Sequence, residues 1–363
     1  MIVFFHLLND RSGSPRALLN AMTALARKDA RQQLYLGQGG DGFLGESSGA
    51  ELRRFPYARG SNKLATLRAY LGSQWRLWRM LRAARDIDRD AICYVNTLLP
   101  FAPAIFGRLS GRTVIYHLHE VSLKPRLLQW FLLFVVRHTA ARTICVSDFH
   151  RRTLGLPSAR VVYNAIAEPM YERGLRAHYA PRRDGVFRVS MLCSLRDYKG
   201  VPEFLQLAAD LADDASVQFQ LVVNDDAEAV ESYFASRSLP PSVQILRGVE
   251  DVSQVYEDAS LVLNLSRVDQ WVETFGLTLL EAMTFGVPVI APPAGGPVEL
   301  VNDGQQGFLV DSRDAAALRD KVAQLANDPA LCLEMSRSAR SRAQELSPER
   351  FSDSICAAVF GNP

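Results

Sequence analysis

Two carboxylates eight positions apart, Glu273 and Glu281, stand in the run Val272-Glu273-Thr274-Phe275-Gly276-Leu277-Thr278-Leu279-Leu280-Glu281-Ala282-Met283. The run follows a strand-like segment and a polar loop and has helical apolar spacing, which sets Glu273 at a loop-to-helix junction. The first free backbone N–H groups of such a helix, near Phe275, Gly276 and Leu277, carry its positive dipole end and suit a diphosphate. Gly276 lets a phosphate approach the backbone. Glu281, two turns on along roughly the same face, can accept bonds from two adjacent ribose hydroxyls. Taken alone, the pair reads more readily as a helix cap and a core-edge acid.

A second constellation bears on that choice. Ser194-Leu195-Arg196-Asp197-Tyr198-Lys199-Gly200 follows another strand-like run and precedes a helix, so Arg196 and Lys199 are expected to converge on one point. A nucleotide diphosphate leaving group gains charge as its glycosidic bond breaks, and two fixed cations stabilise that charge without a metal. No metal site is expected. A cation clamp would need a D-x-D triplet at a strand end, and Asp86-Ile87-Asp88 instead closes an arginine-rich helix. A literal G-x-G-x-x-G at Gly37, Gly39 and Gly42 runs into Gly45, Ser47, Ser48 and Gly49, where a dinucleotide fingerprint requires a helix. It reads as a surface loop.

Short apolar runs alternating with helical patterns must position these groups. In the first half they are Ile2–Leu7, Gln33–Leu36, Ile92–Val95, Thr113–His117, Thr143–Val146 and Val161–Tyr163. A second series comprises Phe187–Cys193, Val217–Val223, Gln244–Leu246, Leu261–Leu265, Pro288–Ala291 and Phe308–Val310. The fold class expected is α/β, with two Rossmann-like doubly wound parallel sheets facing an interdomain cleft. The expected division is 1–167, a polar linker over 168–186 with Pro169, Gly174 and Pro181, a second domain over 187–346, and a C-terminal helix over 347–363 that could cross back.

Five scattered cysteines without a C-x-x-C pair suggest neither a disulfide framework nor zinc, which favours a cytoplasmic setting. The longest apolar run, Trp130 to Val136, is too short to span a bilayer. Residues 1–183 carry 28 Lys and Arg against 12 Asp and Glu, whereas 184–363 carry 13 against 27. That asymmetry points to an anionic partner for the first half or to attraction between unlike halves.

The E-x7-E pair, Arg196 and Lys199, together with Gly286-Val287-Pro288-Val289-Ile290-Ala291, Gly295-Gly296, Glu299, Gly304 and Gly307, resemble the family-4 glycosyltransferases of the two-domain GT-B fold, in particular those of bacterial surface-polysaccharide assembly. In the first half His119-Glu120 resembles the family's histidine motif near the transferred sugar, and Asn164 the asparagine of its domain-crossing strand. The family's usual Gly-Gly loop after the first strand is replaced by Ser12-Gly13-Ser14-Pro15. Gly13 can still admit a phosphate, and Ser14 can donate to it.

The resemblance implies a retaining transfer from a UDP- or GDP-sugar with no cofactor. Glu273 would hold sugar hydroxyls, Arg196 and Lys199 the diphosphate, Glu281 the ribose, and His119 a sugar hydroxyl or the oxocarbenium region. Val249 and Ser266 are expected beside the base and phosphate. The acceptor expected is a glycan, carried on a polyprenyl diphosphate at the inner face of the plasma membrane, with no nucleic-acid partner. The membrane contact is assigned to a helix over Leu64–Arg85, carrying Arg68, Arg76, Arg79, Arg82 and Arg85 beside Tyr70, Trp75 and Trp78. The alternatives are a nucleotide-sugar epimerase of the same fold and a non-catalytic sugar-nucleotide-binding module.

Overall fold

The computed structural model of the protein describes residues 1–361 apart from 29, 38–41 and 46–48. The described chain divides into two compact units, Met1–Asn164 with the segment from Glu349 on, and Ala165–Pro348.

The strands of the first unit are β1 (Ile2–His6), β2 (Gln32–Gly37), β3 (Glu51–Phe55), β4 (Ile92–Asn96), β5 (Thr113–Leu118), β6 (Arg142–Cys145) and β7 (Arg160–Val161), paired in parallel in the order β3-β2-β1-β4-β5-β6-β7. Central strands such as Ile2-Val3-Phe4-Phe5-His6 are buried along their whole length, as a sheet covered on both faces requires. The edge strand β3 has no counterpart among the expected runs. Its Glu-Leu-Arg-Arg-Phe sequence breaks the apolar signal because Arg53 pairs outward with Glu51 and Asp86.

The helices that cover this sheet include α1 (Gly13–Ala26), α2 (Lys63–Ala83), α3 (Phe101–Leu109) and α4 (Arg126–Thr139). The chain steps from β1 to β2 in one direction and from β3 through β6 in the other. Right-handed crossovers therefore put α1 on one face of the sheet and α2, α3 and α4 together on the other. α3 packs against both α2 and α4. The expected Leu64–Arg85 helix is trimmed at its C-terminal end, and Asn62 Oδ1 accepts from Ala65 N at its start, 2.9 Å away. Asp86 lies beyond the helix, where it accepts from Gln33 Nε2 at 2.6 Å. Gly37 is buried at the end of β2 rather than in a surface loop. Gly39, Ser47 and Ser48 lie outside the described residues.

The second unit holds β8 (Phe187–Leu192), β9 (Val217–Val223), β10 (Val243–Arg247), β11 (Leu261–Leu263), β12 (Val289–Ala291) and β13 (Gly307–Leu309), parallel in the order β10-β9-β8-β11-β12-β13. The stretch expected as a linker instead contains a helix, Glu168–Arg176, with proline in its first turn. Arg173 binds Glu257, and Gly174 sits against Thr284 and Phe285, where a Cβ would come within 2.8 Å. The proline and glycine that look like loop punctuation thus serve a helix start and a close packing contact. In the C-terminal segment, Arg160 Nη1 donates to Ala357 O at 2.9 Å within the first unit.

Candidate functional site

Each sheet reverses its strand order at one point, between β1 and β4 in the first unit and between β8 and β11 in the second. In open α/β sheets, ligands bind at the carboxyl ends of strands at this point.

At the second unit's reversal, Lys199 Nζ donates to Glu273 Oε1 at 2.6 Å, and Ser266 Oγ donates to the same oxygen at 2.7 Å. Burial pushes the Glu273 carboxyl up, but Lys199, Ser266 and Asn264 outweigh it and hold the group below the ordinary carboxylate range. Lys199 also lies 4.9 Å from the ring centre of Trp271, which stacks on Tyr198. Two glycine approaches build this arrangement. Gly200, at φ +84°, lies so close to Leu265 that a Cβ would meet its carbonyl oxygen at 2.2 Å, which sets the Arg196–Lys199 turn against the Leu265-Ser266 backbone. Gly296 N donates to Glu273 O at 2.8 Å, and a Cβ on Gly295 would strike that oxygen at 2.3 Å.

Arg196 and Lys199 do not converge as expected. Arg196 pairs with Asp225 at 3.4 Å, and its side chain is half exposed. The Cys193 thiol senses both pairs: burial pushes it up to about 12, Lys199 opposes this, and Asp225 and Glu273 reinforce it. Asp225 and Trp271 belong to none of the sequence motifs, and Cys193 stands in the sequence only as one of five scattered cysteines. Only a basic residue beside the strand end signals a partner for Asp225.

The carboxylate pair also differs from its expected placement. The helix runs from Leu277 to Thr284, and Gly276, left-handed at φ +111°, caps it. Glu273 therefore lies in the preceding loop, and Glu273 and Glu281 do not share a helix face. Glu281 is buried, and Tyr256 Oη donates to its Oε2 at 2.6 Å. Phe275 is buried ahead of the helix, and the N–H groups of Leu277 and its neighbour open the first turn. Val249 follows β10 at the sheet edge.

The first unit's reversal is built from histidines. Asn96, the last residue of β4, reaches three groups: His119 Nε2 lies 2.9 Å from its Oδ1, while its Nδ2 lies 3.0 Å from His6 Nδ1 and 3.1 Å from Ser14 O. A carbonyl only accepts, so the amide nitrogen must face Ser14 and the amide oxygen must face His119. His119 then donates through Nε2 and offers its Nδ1 lone pair. Burial, followed by His117, His150 and His6, pushes His119 well below the ordinary histidine range, so it is neutral. His117, whose Nδ1 lies 2.7 Å from Tyr94 Oη, is lowered to about 3 by burial, and His6 to about 4. Thr97 takes the left-handed φ of 73°, uncommon for a β-branched residue, and its N–H donates to His117 O at 2.8 Å. The Glu120 carboxylate accepts from Leu98 N at 3.2 Å, and burial pushes its carboxyl up. Gly13 opens α1 beside Ser14. Asn164, the last residue of the first unit, is buried with its Oδ1 unbonded.

Two parallel sheets thus carry a carboxylate–lysine pair at one reversal and a neutral histidine at the other. Residues 181–342 match the family described as glycosyl transferases group 1, and residues 12–166 match the glycosyl transferase 4-like domain. The chain belongs to the group 1 glycosyltransferases. Among curated relatives, this glycosyltransferase is 26% identical over 213 residues to the N-acetyl-alpha-D-glucosaminyl L-malate synthase of Bacillus anthracis, an alignment spanning 57% of this chain and 54% of that protein. It is 36% identical over 120 residues to the D-inositol 3-phosphate glycosyltransferase of Saccharomonospora viridis, across 33% of this chain and 26% of the relative. The chain thus spans about half, or less, of the length of these relatives. The GT-B fold is shared with HepE of Anabaena, solved with UDP and glucose, at TM-score 0.77 and 19% identity over 99% of both chains. WaaG, described as involved in lipopolysaccharide biosynthesis, superposes at TM-score 0.73 and 15% identity over 100% of both chains.

Proposed function

We propose that this glycosyltransferase moves a sugar with retention of configuration from a UDP- or GDP-sugar to a hydroxyl of a glycan acceptor, without a metal. The bond between the anomeric carbon and the diphosphate breaks as the acceptor oxygen bonds to the same face. The acceptor proton passes to the departing phosphate. Glu273 holds sugar hydroxyls, Lys199 and Arg196 stabilise the diphosphate as it gains charge, and Glu281 holds the ribose. His119, which presents a lone pair at Nδ1, accepts a hydrogen bond from a sugar hydroxyl. The N–H groups at Gly276 and Leu277, with Gly13 and Ser14 of the first unit, serve the phosphates. The acceptor is carried on a polyprenyl diphosphate in surface-polysaccharide assembly, which sets the enzyme at the cytoplasmic face of the plasma membrane.

The observation that supports this reading is the Lys199–Glu273 pair at the switch point, flanked by Arg196 and Ser266. The complexes of HepE with UDP and with UDP-glucose favour UDP as the nucleotide.

The test is a panel of UDP- and GDP-sugars scored by released nucleotide, with and without acceptor and with excess EDTA. Release that needs acceptor and withstands EDTA supports the reading. Conversion of the donor into an isomeric nucleotide-sugar without acceptor and without net nucleotide release, read by chromatography of the same samples, indicates an epimerase, binding without turnover indicates a binding module, and loss in EDTA restored by magnesium or manganese overturns metal independence.

A further inference from the structure

The three helices on one face of the first unit's sheet, α2, α3 and α4, contain eight lysines and arginines and no carboxylate. Arg76, Arg79, Arg82, Arg108 and Arg126 are exposed there. The same face is unusually apolar for one so basic. On α4, Leu127, Trp130, Phe131 and Phe134 fall at helical spacing, with Leu127 81% and Trp130 67% exposed. Trp130 and Phe134 stack with ring centres 5.9 Å apart, and Phe131 lies edge-on to Phe101 of α3. The opposite side of α4, through Leu132, Val135 and Val136, fills the core. On α2 the outward stripe is Leu64, Arg68, Leu71, Trp75, Arg79 and Arg82, with Trp75 63% exposed.

This differs from the sequence expectation for α2 alone. Tyr70 is buried with its Oη donating to Leu99 O at 2.6 Å, and Trp78 packs edge-on against Phe106. Only Trp75 of the three aromatic residues faces outward. The larger apolar contribution comes from α4, which the sequence had marked only as too short to span a bilayer.

We infer that the α2–α4 face docks in the plane of an anionic lipid bilayer, with Leu127, Trp130 and Phe134 entering the headgroup boundary and the surrounding arginines meeting lipid phosphates. Charge decides the occupant. A face without a single helical carboxylate complements a uniformly anionic sheet, and tryptophans beside arginines are the composition of an interfacial helix. Fourteen residues make α4 about 21 Å long, short of the roughly 30 Å hydrocarbon core. Among the described residues no helix is long and apolar enough to cross a membrane, so α4 lies along the surface. Because helices run antiparallel to the strands they connect, the N-terminal ends of α2 and α4, bearing Leu64 and Leu127, lie at the edge of the sheet where β4 ends at Asn96 and β5 at Leu118. Docking would bring that edge to the lipid, where a lipid-linked acceptor is found. The inference names the partner of the membrane-facing reading above and makes no assumption about donor or catalysis.

The experiment is co-sedimentation of the full chain with phosphatidylcholine vesicles with and without one-third phosphatidylglycerol, at low and high salt. Wild type should pellet with anionic vesicles at low salt and be released at high salt. Leu127→Ser/Trp130→Ser/Phe134→Ser should abolish pelleting, and Arg76→Glu/Arg79→Glu/Arg126→Glu should weaken it by roughly fivefold or more per residue. Arg319→Glu/Arg337→Glu in the second unit should bind like wild type. Unchanged thermal unfolding and far-ultraviolet circular dichroism show that each variant is folded, and Trp130→Ser alone decides if the triple variant is not. Binding by wild type that survives both triple substitutions overturns this surface while leaving a membrane partner standing. A wild type that stays in the supernatant, or a dimer by light scattering that Trp130→Ser dissociates without vesicle binding, overturns docking altogether. None of these outcomes touches the donor panel.

Discussion

The two strand reversals have the same topology and opposite electrostatics. In the second unit the strand ends carry charge: Lys199 against Glu273, and Arg196 against Asp225. In the first they carry neutral histidines joined through Asn96, with His117 and His6 lowered to about 3 and about 4 by burial. The fold therefore sets where a ligand can lie but not how it is held. A fixed cation meets the charge that develops on a leaving diphosphate, whereas a neutral imidazole with a defined tautomer orients a hydroxyl without competing for that charge.

Removing the charged side should have the largest effect. Lys199→Ala leaves Glu273 without its cation, and turnover measured as nucleotide release should fall by about a hundredfold or more. Arg196→Ala should fall in the same direction. A near-wild-type rate in Lys199→Ala would remove the electrostatic half of the comparison.

Acid should separate the units next. Neutral His6 and His117 are favoured by the fold and protonated ones by the unfolded chain, so the unfolded state binds more protons below pH 6.5. Stability of the first unit is therefore lost as pH falls from about 6.5 towards about 4, by roughly 2 kcal/mol per histidine at pH 5. The raised Glu120 carboxyl works against this trend in the acid range. Glu273, held below 4.5, contributes stability at higher pH that is lost only as pH falls below about 4.5. Hydrogen exchange followed by peptide mass should show residues 1–164 losing protection at a higher pH than 165–348. Simultaneous loss would mean that the histidine cluster is not held neutral by burial.

The smallest effect concerns Glu281. If it binds ribose equally in ground and transition states, Glu281→Ala should raise the donor Michaelis constant by about tenfold with little change in kcat. Tyr256→Phe, which removes its hydroxyl donor, should act in the same direction and less. A selective fall in kcat would move Glu281 into the reacting group.

Much of this was legible because it depends on local pattern. The buried parallel strands appear as apolar runs, and the E-x7-E spacing with Arg196, Lys199 and the later glycines is specific enough to carry the family. The sequence also marked α2 as a basic helix. What escaped has a physical cause in each case. The edge strand β3 hid behind the charges that protect an edge. The helix Glu168–Arg176 hid behind a proline and a glycine that serve packing.

By itself the sequence determined which residue types lie at the strand ends, because hydrophobic period and motif spacing are properties of neighbouring positions. Tertiary structure alone decided which of them meet. Lys199 reaches Glu273, 74 positions away, and Asn96 reaches His6, 90 positions away, because parallel crossovers bring distant strand ends together. It also decided that Arg196 turns to Asp225, that Glu273 and Glu281 do not share a helix face, and that Trp78 faces the core while Trp130 faces outward. The physical reason is that periodicity gives the angle between side chains on one element, whereas burial depends on which other elements that angle meets.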